Sequence, residues 1–247
     1  MSSMTVHILR CGTIRVPRGH SPFAERQELP VWCYLVAHPA HGPILVDTGL
    51  GTLPLPGRLR RYYDPDPQPT VAEQLARLGI RPADLAMVLL SDLDADHTGG
   101  LHTLTAAPRF LVSEEEYYWT CRRAFSRRQP ASFWDGHVHL ETYYLRGTTL
   151  GPAKHSLDIF GDGSLTSVLT AGHTFGCCTT LLRWNGKTLL LAGNAVRDGR
   201  TLKDDYVYHP YQQEKTVRWL RTFRDDPSCL GILATHDAGE TERIIRL

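Results

Sequence analysis

The sequence has no CxxC pair, no internal repeat, no low-complexity tract and no apolar run near the ~20 residues a membrane helix requires. The last of these absences argues against a membrane-spanning helix. Its first residues, MSSMTVHILRCG, lack the basic start and long apolar stretch of a signal peptide, so a cytoplasmic location is expected. The six cysteines, Cys11, Cys33, Cys121, Cys177, Cys178 and Cys229, then read as reduced thiols rather than a disulfide framework. Net charge is also nearly absent. Lys and Arg number 27 against 26 Asp and Glu, a formal +1, which leaves no electrostatic footprint for nucleic acid or an anionic membrane.

What remains is ordinary globular material: 247 residues, 42% hydrophobic and 21% charged. That length supports one large core, and a single domain over residues 1–247 is expected. Residues 32–37 (WCYLVA) and 43–46 (PILV) flank a short turn, a hairpin pattern ending in Asp47-Thr48-Gly49. Residues 50–69 hold five prolines and read as loop. Thr70 and Glu73 form a capping box before an apolar stripe of Val71, Leu75 and Leu78. Residues 85–90 (LAMVLL) read as a strand buried on both faces. Ser113 with Glu116 predicts a second capped helix. Asn185-Gly186 predicts a tight hairpin, residues 211–223 a helix, and residues 230–234 a last strand. The order predicts an α/β fold.

Four predicted strands end at a residue able to bind metal: Asp92, His173, Asn194 and His236. Sites in layered α/β folds form just beyond strand ends. The segment 91–100, SDLDADHTGG, adds Asp94, Asp96 and His97. If it is extended, residues 92, 94 and 96 point the same way and bring three carboxylates together. Such charges need a compensating cation, and carboxylate oxygen with neutral imidazole nitrogen suits a divalent metal. The plain alternative is an acidic helix start. Asp47 is expected to support the site through its turn.

The motifs resemble the metallo-β-lactamase superfamily, and more narrowly the N-acyl-homoserine lactonase family. The matching stretches are residues 29–35 (LPVWCYL), 42–49 (GPILVDTG), 96–100 (DHTGG), 172–176 (GHTFG) and 235–237 (THD). They span nearly the whole chain in the family's order. The resemblance implies a four-layer αβ/βα sandwich with a two-metal site, usually zinc, at one edge. It assigns positions 92, 94 and 173 to the first metal, Asp96, His97 and His236 to the second, and position 194 to both.

The departures fall on three positions. The family's HxHxDH loop here carries Asp92 and Asp94 where histidines are usual, and its bridging aspartate is Asn194. A neutral amide is a poorer bridge, so weaker coupling of two metals is expected. The oxygen-richer first site should accept a harder ion such as manganese, iron or magnesium. The implied activity is opening of a lactone or related ester by a metal-bound hydroxide, with Asp96 holding the nucleophile or protonating the departing alkoxide. Where lactonases of the family often carry a tyrosine, this chain has Arg197, which can bind a substrate carboxylate or an oxyanion but does not donate as tyrosine does. The alternative is a catalytically impaired protein that binds metal or a small molecule on the same fold. A phosphodiesterase or nuclease is disfavoured by the charge balance. The expected partner is a small-molecule substrate, with the chain a monomer or homodimer. His137 and His139 have ligand spacing but also fit an alternating surface strand. The arginines at 58, 60, 61, 122, 123, 127 and 128 read mainly as solvated surface, with some able to meet an anionic group.

Overall fold

Apolar side chains on both faces of the central strands oblige this chain to build in layers. The computed structural model describes residues 3–17, 25–52, 69–122, 131–203 and 207–247. In chain order the elements are β1 (Thr5–Pro17), β2 (Arg26–His38), β3 (Gly42–Val46), α1 (Val71–Arg77), β4 (Met87–Leu89), α2 (Ala95–Thr98), β5 (Phe110–Ser113) and α3 (Glu114–Arg122). Then come β6 (Leu140–Tyr143), β7 (Ser156–Asp158), β8 (Leu165–Leu169), β9 (Cys178–Trp184), β10 (Lys187–Gly193), α4 (Pro210–Arg224), β11 (Cys229–Ala234) and β12 (Ile244–Arg246). One seven-stranded sheet runs β12-β1-β2-β3-β4-β5-β6, and one five-stranded sheet runs β11-β10-β9-β8-β7.

The period of two in β2 sorts its side chains between two cores. Leu29, Val31, Cys33 and Leu35 join α1 residues Val71 and Leu75 on the outer face of the large sheet. Trp32, Tyr34 and Val36 join Leu182, Leu189 and Leu233 between the sheets. A third core sets Leu220 of α4, with Val217 and Phe223 packed alongside, against Leu181, Leu190 and Ile232 of the small sheet. Helix, sheet, sheet, helix is the expected four-layer sandwich. Each fully buried leucine contributes about 1.5–3 kcal/mol. No helix among the described residues is long and apolar enough to cross a membrane.

Local signals behave as their chemistry requires. Thr70 and Glu73 make both halves of the capping box. Asn185 and Gly186 both have positive φ, 48° and 74°, as a tight turn between β9 and β10 demands. The strands β3, β4, β5 and β6 run parallel, so their C-terminal ends gather at one edge. Three expectations change. The segment 92–96 is not extended throughout, because Asp94 is the N-cap of α2 and Asp96 lies in its first turn. Its period is therefore helical from residue 95. His137 and His139 lie in the turn before β6, exposed, rather than on a strand. The carboxylate of Glu116 is not the second half of a capping box, as shown below. Most of the proline-rich stretch 50–69 and all or part of the arginine set lie outside the described residues: positions 53–68, 123 and 127–128, and the Arg122 side chain.

Candidate metal centre

All four predicted strand ends meet at one edge of the sandwich. Asp92 follows β4, His173 follows β8, Asn194 directly follows β10 and His236 follows β11. With Asp94, Asp96 and His97 they form one group, none more than 9% exposed. Asp96, His97 and His236 each bring one ligand atom within 4.8 Å of the others. His236 Nε2 is 3.1 Å from Asp96 Oδ2, and His97 Nε2 is 4.0 Å from the same oxygen. On the other side, His173 Nε2 is 3.1 Å from Asp94 Oδ2. Asn194 stands between, its Nδ2 2.9 Å from His97 Nε2 and 3.2 Å from His173 Nε2.

The surroundings fix which nitrogen of each ring faces inward. His97 Nδ1 lies 2.9 Å from Asp47 Oδ2 and 3.0 Å from Ser91 Oγ. Asp47 in turn accepts from the Ser91 backbone N–H and hydroxyl, both at 2.8 Å. A ring N–H beside a carboxylate donates to it, so His97 keeps a proton on Nδ1 and turns Nε2 toward the cluster, where a bound cation would replace a second proton. His236 does the same, donating from Nδ1 to Pro30 O at 2.9 Å. Asp47 therefore braces the His97 ring and the Ser91 backbone from its turn. It takes φ 62°, a strained backbone for a non-glycine residue. Gly49, at φ 66°, is required because a Cβ there would lie 2.3 Å from Cys11 Cβ.

The charge balance is lopsided. Asp47, Asp92, Asp94, Asp96 and Glu116 are all buried here, and no Lys or Arg among the described residues is fully buried. Burial, then Asp94 and Asp47, push Asp92 up to about 6, against the pull of His97 and His173. Burial, then Asp92, push Glu116 up to about 8. Burial opposes a charged His97, but Asp92, Asp47 and Asp96 outweigh it and leave its pKa well above the usual value. One Asp92 oxygen accepts from the Asp94 N–H at 2.9 Å, whereas Oδ2 is buried with no hydrogen-bond partner, 3.7 Å from His97 Nε2. An orphaned carboxylate oxygen among inward-facing imidazoles fits a divalent cation. The helix-start alternative accounts for less. Asp94 occupies the N-cap position, yet its side chain makes no capping bond and faces His173 instead.

Sequence reasoning missed the braces. Glu116 accepts from Leu93 N at 3.1 Å and from Thr174 Oγ1 at 2.6 Å, tying the 92–98 segment to the 173–176 turn. Ser113 still caps α3 through Glu116 N at 3.1 Å. Gln213 of α4 donates to Ala195 O at 2.7 Å, and Thr216 donates to Ala171 O at 2.9 Å. Those bonds fasten the loops carrying Asn194 and His173. A polar residue on the inward stripe of each helix was the available signal. Arg197 lies half-buried three residues past Asn194, in a loop closed by its N–H to Lys203 O at 2.8 Å.

Two sheets face to face, with this cluster beyond their strand ends, define an αβ/βα sandwich of the metallo-β-lactamase class. The profile of the metallo-beta-lactamase superfamily matches residues 26–229. The N-acyl homoserine lactonase AttM of Rhizobium radiobacter is 28% identical over 217 residues, 79% of this chain and 78% of that protein. The AttM of Azorhizobium caulinodans is 30% identical over 205 residues, 74% and 72% of the two chains. Among solved structures, an N-acyl homoserine lactone hydrolase with N-hexanoyl-L-homoserine bound at its catalytic metal center superposes with a TM-score of 0.75 at 19% identity, covering 96% of this chain and 95% of that one. The chain belongs to the metallo-β-lactamase superfamily, among its lactonase-like metal-dependent hydrolases.

Proposed function

We propose that this protein opens a lactone or related ester, with a divalent metal, zinc by the habit of its relatives, held in the cluster. The reading rests on one observation above the rest: Asp96, His97 and His236 converge with both Nε2 atoms turned inward and both Nδ1 atoms engaged on the far side. His97, His236 and Asp96 would hold one ion, and Asp92, Asp94 and His173 a second or weaker one, with Asn194 between them. A bound ion would lower the pKa of water from ~15.7 toward ~7 and polarise the ester carbonyl. The chain's own residues do the rest. Asp96 takes the proton from the attacking water and returns it to the alkoxide leaving group. Asp47 and Ser91 keep His97 in one tautomer. Arg197, from the same loop as Asn194, binds a substrate carboxylate or steadies the oxyanion. The small-molecule substrate of the AttM relatives makes acyl-homoserine lactones the first compounds to try.

One observation favours the non-catalytic reading. The Asp94 carboxylate lies 3.1 Å from His173 Nε2, and the Asn194 side chain lies 2.9 Å from His97 Nε2 and 3.2 Å from His173 Nε2, so both inward nitrogens have polar partners without metal. A panel of lactones and esters with added zinc, manganese or iron separates the two. Turnover that is lost in Asp96→Asn and His236→Ala supports the hydrolase. Metal or ligand binding with no turnover under any ion supports the binder.

A further inference from the structure

Beside His173 lies a run of aromatic rings that the chemistry of the cluster does not use. Trp119 of α3 meets Phe175 at 4.1 Å between ring centroids and 70° between planes. Phe175 packs on His209 at 3.5 Å and 37°, and Trp119 meets His209 edge-on at 5.6 Å. Tyr208 stands edge-on to His173 itself, at 6.3 Å and 81°. The rings come from three segments: α3, the 173–176 turn and the residues leading into α4. Tyr208 and His209 are held in place by backbone bonds, their N–H groups both donating to Gly172 O, at 3.0 and 2.9 Å. Gly176 packs so closely that a Cβ there would lie 2.0 Å from Glu116 N, which fixes the turn against α3. Phe175 is nevertheless 39% exposed and Tyr208 53% exposed.

We propose that Trp119, Phe175, Tyr208 and His209 form a specificity wall for substrates carrying an aryl substituent. The proposal rests on the hydrolase reading for its reaction but not for its recognition. Rings set at steep angles present edges and faces of opposite partial charge, and a further ring completes that pattern. An alkyl chain of equal area gains contact alone. The wall is prearranged by the Gly172 bonds, the close Gly176 packing and its own ring contacts, so little ordering opposes binding. Its edge-on contact with His173 joins it to the cluster, so that a substituent on the wall leaves its ester at the strand ends.

The test compares phenylacetyl- and hexanoyl-homoserine lactone on the zinc-loaded protein. The wild type should favour the phenylacetyl compound in kcat/KM by roughly 2- to 10-fold, the worth of one aromatic pair. Phe175→Leu, which keeps apolar bulk, and Trp119→Leu should bring the ratio to about one through KM. A wild-type ratio of about one, or a ratio unchanged in Phe175→Leu, overturns the proposal. Equal loss for both substrates in Phe175→Leu is such an unchanged ratio. If no lactone is turned over, the hydrolase reading fails by itself, and calorimetry with the two ring-opened acyl-homoserines judges the wall. Tighter aryl binding that is lost in Phe175→Leu sustains it, and equal affinities overturn it.

Discussion

Two clusters in this molecule have the same spacing and opposite chemistry. His38, His41 and Asp162 bring their ligand atoms within 4.8 Å, as Asp96, His97 and His236 do. In the first, His38 Nδ1 accepts from Ala40 N and His41 N, at 3.1 and 3.2 Å. Its proton therefore sits on Nε2 and is given to Ser164 Oγ at 2.9 Å. Burial, then His41, hold its pKa low, so the ring stays neutral with its lone pair used by the backbone. In the second, His97 and His236 donate from Nδ1 to Asp47 and Pro30 O and turn Nε2 inward. Distance does not distinguish the two clusters. The partner on the far side of each ring does.

That contrast can be broken at several points. The largest effect belongs to Asp96→Asn, expected to lower lactone turnover by about 10²–10⁴-fold, the usual worth of a positioned acid–base group. Metal analysis of His236→Ala should show a lost ion, while His41→Ala and Asp162→Ala retain the wild-type content. Loss of metal in His41→Ala would end the distinction. Asp47→Ala frees the His97 tautomer and should weaken metal affinity about 10–100-fold in a chelator competition. Asn194→Asp restores a charged bridge, so titration should show a second ion held more tightly than in the wild type. Ser164→Ala removes the His38 partner and should cost about 0.5–1.5 kcal/mol in denaturant melts, equally with and without zinc. A further effect is on pH. Asp92, raised to about 6 when folded, binds its proton more tightly than in the unfolded chain. Its contribution to stability is present below about pH 4 and is lost as pH rises toward 6. Melts in chelator should show that decline, and Asp92→Asn should remove it.

Strand ends, caps and turns were legible because each is a local bargain between a backbone and a nearby side chain. The Thr70–Glu73 box and the Asn185-Gly186 turn needed nothing distant. The strand-end residues were legible for the same reason, and parallel strands carried them to one edge. Two features were not legible. Asp92, Asp94 and Asp96 read as one extended face, yet the helix from Ala95 turns Asp94 toward His173 and Asp96 toward His236. Glu116 read as a cap because Ser113 lies three residues before it, but its carboxylate serves Leu93 and Thr174, 23 and 58 residues away in the chain. Such long-range choices depend on which loops the sheets bring together, which no local pattern encodes.

The bond from His236 to Pro30 O spans 206 residues and joins the loop after β11, in the small sheet, to β2, in the large one. Trp32 repeats the link, with its N–H on Thr235 O at 2.9 Å and its indole on Asp237 O at 2.9 Å. An ion gripped by Asp96, His97 and His236 would therefore act as a rivet through both sheets, and its mark would be in time rather than in shape. Peeling the sheets apart must first expel it, so zinc should slow unfolding more than it hastens refolding.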